Sequence, residues 1–260
     1  MTNMATLLRT IRHRLGIYLR LVLAPLLGRG RMSPTIINEF HRLYYGGRWT
    51  TWSNTFFLGH LVAKCPLDLW IYQEMIHELR PDLIIECGTG RGGSALYLAS
   101  LCDVVGRGQV VTIDVDDYPG KPQHPRIRYI VASSTAHETV ENVQRLAVGC
   151  ERVLVILDSN HRKDHVLNEL RLYSPFVPQG GYIIVEDTNL NGHPVTPQFG
   201  PGPMEAVEAF LQEQDDFVID TTKEKFFLTF NPRGYLKRVA TRQAAPQRAA
   251  EPATAKAGRT

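Results

Sequence analysis

Leu83-Ile84-Ile85-Glu86-Cys87-Gly88-Thr89-Gly90-Arg91-Gly92-Gly93 is the stretch that decides the fold. It begins as a strand-length apolar run interrupted by one acid, turns through glycines and opens onto a helix-like segment at 94–102. A short continuous apolar run bounded by glycine reads as a strand buried on both faces. Four more such runs follow, Val110–Asp114, Ile127–Val131, Val153–Leu157 and Tyr182–Val185. Helical patterns at 136–147 and 164–173 fall between them, and Leu67–Leu79 precedes the first run and stops before Pro81. Strands alternating with helices predict an α/β chain, a parallel Rossmann-like sheet with helices on both faces. Phe217–Asp220 and Phe226–Phe230, joined by a short polar turn, are expected to pair antiparallel and close the sheet.

Composition narrows the function classes. The chain has 260 residues, 43% hydrophobic and 21% charged, an ordinary globular balance. Cys65, Cys87, Cys102 and Cys150 are scattered without a C-x-x-C pair, which argues against a zinc ribbon or a secreted disulfide scaffold and for a cytoplasmic setting. The apolar stretch Leu15–Leu27 is broken by Arg20 and Pro25 and is shorter than the roughly 20 residues a spanning helix needs. Arg20 also makes a poor secretory signal of it. Residues 1–32 carry six arginines and no acid, whereas 33–230 hold 16 basic and 25 acidic residues. An acidic body argues against a nucleic-acid groove. In residues 1–32, Leu7, Ile11, Leu15 and Leu19 step by four, a basic amphipathic helix. Two readings of it stand side by side: peripheral contact with an anionic membrane face, or packing on the body or on a second subunit of a homo-oligomer. Residues 33–238 are expected to form the main folded domain, opening with a helix at Ser33-Pro34 that Gly46-Gly47 closes. The tail, 239–260, is basic, rich in alanine and without apolar period, and reads as disordered.

Five parallel strands with a terminal antiparallel hairpin form the layout of a class I methyltransferase sheet. Gly88, Gly90 and Gly93 also satisfy G-x-G-x-x-G, so a nicotinamide-dependent oxidoreductase is the competing reading. Two details favour S-adenosylmethionine. Glu86 ends the strand two residues before the first glycine, where an acid can hold the cationic methionine part of the cofactor. The strand also begins only after about 80 residues, whereas dinucleotide folds often start with it. Gly88, Gly90, Gly92 and Ser94 are the expected cofactor cradle, Asp114 the ribose acceptor with Asp116 and Asp117 close by, and Ser133-Ser134 the adenine contact or a plain solvated loop.

Asp158 ends the fourth parallel run and Glu186-Asp187 end the fifth, so adjacent strands bring three carboxylates to the sheet edge where ligands bind. Like charges held together raise one another's pKa unless a cation compensates, and carboxylates with waters suit Mg²⁺. Pairing with Arg162, Lys163 or Arg171 is the plainer account. Asp158 also borders the expected cofactor position. His161, three residues on, is the candidate general base, because imidazoles titrate near neutrality; Lys163 and His165 compete for the role. The Gly/Pro-rich segment Thr188–Pro203 reads as a substrate wall. Trp49, Trp52, Phe56 and Phe199 are candidates to stack on a sugar face.

The segments Leu157-Asp-Ser-Asn-His161, Glu186-Asp-Thr-Asn-Leu-Asn-Gly-His-Pro194 and Phe199-Gly-Pro-Gly-Pro203 resemble the cephalosporin hydroxylase/rhamnosyl O-methyltransferase family, its mycobacterial rhamnosyl members above all. Phe40-His-Arg-Leu-Tyr-Tyr45-Gly46 and Trp49-Thr-Thr-Trp52 are similar too, and the likeness spans roughly 35–235. The resemblance implies a class I enzyme using S-adenosylmethionine and Mg²⁺ to methylate a hydroxyl, on a glycolipid deoxysugar. It places Asp158, Glu186 and Asp187 at the metal, and His161 near where catechol-type relatives keep a catalytic lysine. The hydroxylase in the family's name finds no support: there is no His-x-Asp iron motif. Tailoring of a soluble secondary metabolite and a non-catalytic tether are the remaining alternatives.

Overall fold

A computed structural model of the protein describes residues 34–239. The amphipathic segment read in 1–32 and the tail beyond Val239 lie outside them. The chain divides into two compact units at Gly47. In the first, the described part is one helix, α1 (Pro34–Gly46). The second holds every other element.

Two short 3₁₀ turns, Arg48–Thr50 and Trp52–Asn54, lead into a two-residue ribbon, β1 (Phe56–Phe57) against β2 (His60–Leu61). Then come α2 (Pro66–Leu79), β3 (Leu83–Cys87), α3 (Gly93–Val105), β4 (Gln109–Asp114), β5 (Ile127–Val131), α4 (His137–Ala147), β6 (Val153–Leu157), α5 (Lys163–Tyr173), β7 (Tyr182–Val185), α6 (Pro203–Glu213), β8 (Phe217–Ile219) and β9 (Tyr235–Arg238). Seven strands make one sheet in the order β5-β4-β3-β6-β7-β9-β8. The pairs from β5 through β7 are parallel, and β9 runs antiparallel to both β7 and β8.

Cover on both faces explains why the central strands β3, β4, β6 and β7 are mostly apolar. Ile85, Val111, Val155 and Ile183 face one core with Val143 of α4, Leu170 of α5 and Phe210 of α6. Ile84, Val110, Leu154 and Ile184 face the other, with Met75 of α2 and Leu98 of α3. Successive side chains of a strand point to opposite faces, and here both are covered.

One expected strand is absent. Phe226–Phe230 is irregular, and β8 pairs with Tyr235–Arg238 instead. Phe227 has φ 64, a left-handed backbone that a strand does not accept. The end of the run is taken by the buried Asp68, whose carboxylate accepts the Phe230 N–H (2.9 Å) and the Thr229 hydroxyl (2.5 Å). A side chain thus satisfies the Phe230 N–H, which a ladder would have used.

Chain order reverses at β3: α3 carries the chain to β4 on one side, and α4 brings it back to β6 on the other. Ligand crevices open at the carboxyl ends of strands at such a switch point. Gly88 follows β3 there with φ 106, and a Cβ on it would stand 1.9 Å from the carbonyl oxygen of Asp158, which follows β6. Gly93 is equally confined, because a Cβ there would lie 2.2 Å from the Leu61 carbonyl oxygen. The ribbon segment is thereby seated against the start of α3. Gly93→Ala is expected to cost about 1–3 kcal/mol of stability by overpacking against backbone, read by chemical denaturation; an unchanged midpoint would contradict this packing.

Candidate active site

The crevice is a cavity of about 530 Å³. Gly88, Gly90, Ser94, Asp114, Ser134 and Asp158 all line it, which joins most of the expected cofactor residues in one place. Asp114 is braced from both sides: Oδ2 accepts the Gly90 N–H (2.8 Å) and Oδ1 the Asp116 N–H (3.0 Å). Ser134 lines the wall, but its hydroxyl is given to Glu169 (2.5 Å). Gly92 stays outside the lining; with φ 81, its place is dictated by Pro122, whose ring would meet a Cβ at 2.9 Å. Glu86 also stands behind the wall, wholly buried, with Oε2 accepting from the Thr112 hydroxyl (2.6 Å) and Oε1 without a partner. Burial raises its pKa, and Lys64 works against that rise.

At the other end of the crevice the carboxylates meet. Asp158, His161 and Asp187 each offer one ligand atom, and these atoms lie within 4.8 Å of one another. His161 Nε2 is 3.2 Å from Asp187 Oδ2 and 4.0 Å from Asp158 Oδ1. Glu186, 5% exposed, is not among these three, and both of its side-chain hydrogen bonds fall on Oε1, from Lys64 Nζ (2.5 Å) and the Tyr72 hydroxyl (2.8 Å). Lys64 Nζ also pairs with Asp158 Oδ2. Asn231 completes the frame: its Nδ2 donates to the Tyr72 oxygen (3.1 Å) and its Oδ1 accepts the Asp187 N–H (3.1 Å). That bond holds Asp187 at φ 56, strained for a residue with a Cβ.

Lys64, Tyr72 and Asn231 escaped the sequence reading. They lie 94, 114 and 44 positions from the groups they touch, so no spacing links them to the site. The available signal was a lysine inside the apolar run Leu61-Val62-Ala63-Lys64-Cys65, because lysine is rarely buried without a partner. Of the three candidate bases, His161 alone reaches the carboxylates. His165 turns toward Glu169, and Lys163 takes no part in the ion pairs of Asp158, Glu186 or Asp187. The loop after β7 is pinned beside them. Arg162 stacks over Phe199 at 4.5 Å and donates to its carbonyl (2.5 Å), while Glu205 accepts from Asn191 (2.9 Å) and the Gly202 N–H (2.6 Å). Among the aromatics, Trp52 packs edge-on against Phe230 at 5.6 Å, whereas Trp49 and Phe56 are exposed.

The electrostatics favour a cation. Burial raises the pKa of Asp158, Glu186 and Asp187. Like charge adds to it, Asp187 on Asp158, Asp158 on Glu186 and Glu186 on Asp187. Burial alone would lower the Lys64 pKa, but the charges of Asp158, Glu186 and Glu86 more than reverse this and favour the ammonium. One ammonium against three carboxylates leaves an excess of negative charge. A divalent ion on Asp158 and Asp187 fits that excess and the oxygen-rich donor set.

Comparison with known proteins places the chain in a family. The family model for Rhamnosyl O-methyltransferase/CmcI matches residues 49–239. The rhamnosyl O-methyltransferase of Mycobacterium tuberculosis (strain H37Rv) is 40% identical over 215 residues, 80% of this chain and 87% of that protein. That of Mycobacterium leprae (strain TN) is 39% identical over 214 residues, covering 80% and 93%. An apo structure of CmcI-N160 has TM-score 0.57 at 26% identity, covering 72% of this chain and 77% of that one. A structure of CmcI-D160 with Mg and SAM has TM-score 0.55 at 25% identity, covering 72% and 78%.

Carboxyl groups whose pKa is raised by folding stabilise the protein below their unfolded values, about 4, and that contribution is lost as the pH rises through the folded values. Metal-free protein is therefore expected to lose thermal stability from pH 5 to pH 8, more steeply in Lys64→Met. Millimolar Mg²⁺ should raise the melting temperature more at pH 8 than at pH 5, because its ligands must be deprotonated. A Mg²⁺ effect independent of pH would contradict the cluster's role.

Proposed function

The chain belongs to the rhamnosyl O-methyltransferase/CmcI family and is an S-adenosylmethionine-dependent O-methyltransferase, and from this premise we propose that it methylates a sugar hydroxyl, with Mg²⁺ held by Asp158 and Asp187 and Glu186 beside them. The acceptor in this reading is a rhamnosyl or related deoxysugar of a glycolipid, in keeping with the activity named for the mycobacterial relatives. One observation carries the proposal: Asp158 lines the cavity and also belongs to the triad with His161 and Asp187. Cofactor and acceptor can therefore meet across a single side chain.

The cavity supplies the cofactor's seat. Glycine backbone at Gly88 and Gly90 lets a ligand approach closely, and Asp114 offers carboxylate oxygens to ribose hydroxyls. When bound, Mg²⁺ neutralises the carboxylates and acidifies a chelated hydroxyl, while S-adenosylmethionine presents an electrophilic methyl group. Asp158 and Asp187 would hold the ion beside the cavity, and an acceptor hydroxyl positioned there would gain the entropic part of the rate. Glu186 contributes from the side, steadied by Lys64 and Tyr72. His161 accepts the hydroxyl proton, and Asp187, 3.2 Å from its Nε2, stabilises the imidazolium that forms. Arg162 and Phe199 hold the loop that walls the acceptor side.

No helix among the described residues is long and apolar enough to cross a membrane. The six arginines of residues 1–32 support peripheral contact with an anionic inner membrane face, where a lipid-linked sugar is found.

The test is transfer of labelled methyl from S-adenosylmethionine to a total lipid extract, with Mg²⁺ and again with EDTA. Label is expected in a glycolipid and should vanish with EDTA. Asp187→Ala should lower turnover at least about a hundredfold, the scale of metal-assisted charge stabilisation, while S-adenosylmethionine affinity by calorimetry stays within a few-fold. Label only in soluble acceptors would overturn the glycolipid assignment, and EDTA-resistant transfer would overturn the metal's role.

A further inference from the structure

We infer that His165 reads the exocyclic amino group of the cofactor's adenine, with Glu169 and two serines fixing the ring tautomer that allows it. The inference rests on the cavity being the S-adenosylmethionine site.

Glu169 lies one helical turn after His165 on α5 and has no exposed surface. Its Oε1 accepts from the hydroxyls of Ser134 (2.5 Å), after β5, and Ser159 (2.7 Å), after β6. Each serine has one proton, and both protons are committed to the carboxylate. What the serines present to His165 Nε2, at 3.3 and 3.2 Å, is therefore lone pairs. Glu169 Oε1 presents another at 3.4 Å. Every group around Nε2 is an acceptor, so Nε2 carries the proton and Nδ1 of the neutral ring is bare.

His165, on α5, lines the cavity together with Ser133 and Ser134, which follow β5. A bare imidazole nitrogen accepts a hydrogen bond. An adenine amino group donates one, whereas the carbonyl of a hypoxanthine sets lone pair against lone pair. Sites built around a specific hydrogen bond reject the analogue that cannot form it far better than apolar pockets reject a change of size. His165 is thus a specificity-determining residue for the nucleobase, and Glu169 is its positioning residue.

The test is calorimetric binding of S-adenosylhomocysteine and of its hypoxanthine analogue to the full chain. The native protein should favour the adenine form at least about tenfold. In His165→Leu, and in His165→Gln, whose amide turns to donate or accept, the preference should fall below about threefold, with melting temperatures close to the native value. ¹⁵N NMR of the free protein above neutral pH should show His165 protonated on Nε2. An Nδ1-protonated ring, or a His165→Gln variant that weakens both ligands equally, would overturn the inference and leave the cofactor assignment intact. Failure of the native protein to bind either ligand would overturn both.

Discussion

Carboxylates that must be buried at the edge of a sheet need countercharge, and the architecture of this site follows from how it is supplied. Two like charges 4 Å apart repel by about 4 kcal/mol at an effective dielectric constant near 20. A protein stable by only about 5–15 kcal/mol does not tolerate several such pairs uncompensated. Lys64 meets part of the demand by pairing with Asp158 and Glu186. Its ammonium leaves Asp187 and one face of Asp158 undercompensated, with His161 between them. In the proposed function, this remaining charge deficit is what a divalent ion on Asp158 and Asp187 would meet.

Placement of that cluster depends on close backbone contact. Cys87 accepts the Asp158 N–H at 2.7 Å, and the absence of a Cβ on Gly88 lets the glycine loop lie against the Asp158 carbonyl. The proposed cofactor cradle and the proposed metal end are therefore parts of one junction at the switch point of the sheet. The ribbon segment adds a second link. Leu61, Val62 and Ala63 line the cavity, and the next residue, Lys64, reaches the carboxylates, so one short stretch serves both ends of the site.

Much of this was legible in the chain. The runs 83–87, 127–131, 153–157 and 182–185 are strands with the expected bounds; for 83–87, 153–157 and 182–185 this is because strands covered on both faces leave a nearly unbroken apolar signature. Asp114, Asp158 and Asp187 were legible for the same reason, as acids that end such runs. Phe226–Phe230 misled, since an aromatic run looks like a strand until a buried carboxylate 161 positions away claims its hydrogen-bonding groups. Lys64, Tyr72 and Asn231 were illegible because their roles exist only after the sheet brings distant segments together. Ser134 was found for its place on the wall, yet its hydroxyl serves Glu169, a partner 35 residues on that only the fold reveals.

The central claim, that Lys64 and a divalent ion divide the compensation of one carboxylate cluster, is tested most directly by a crystal soaked in Mn²⁺ and measured for anomalous scattering. The account predicts a single strong peak within coordination distance of Asp158 and Asp187, with Lys64 still paired to Glu186. A cluster without a peak, or a peak bound elsewhere in the crevice, would contradict it.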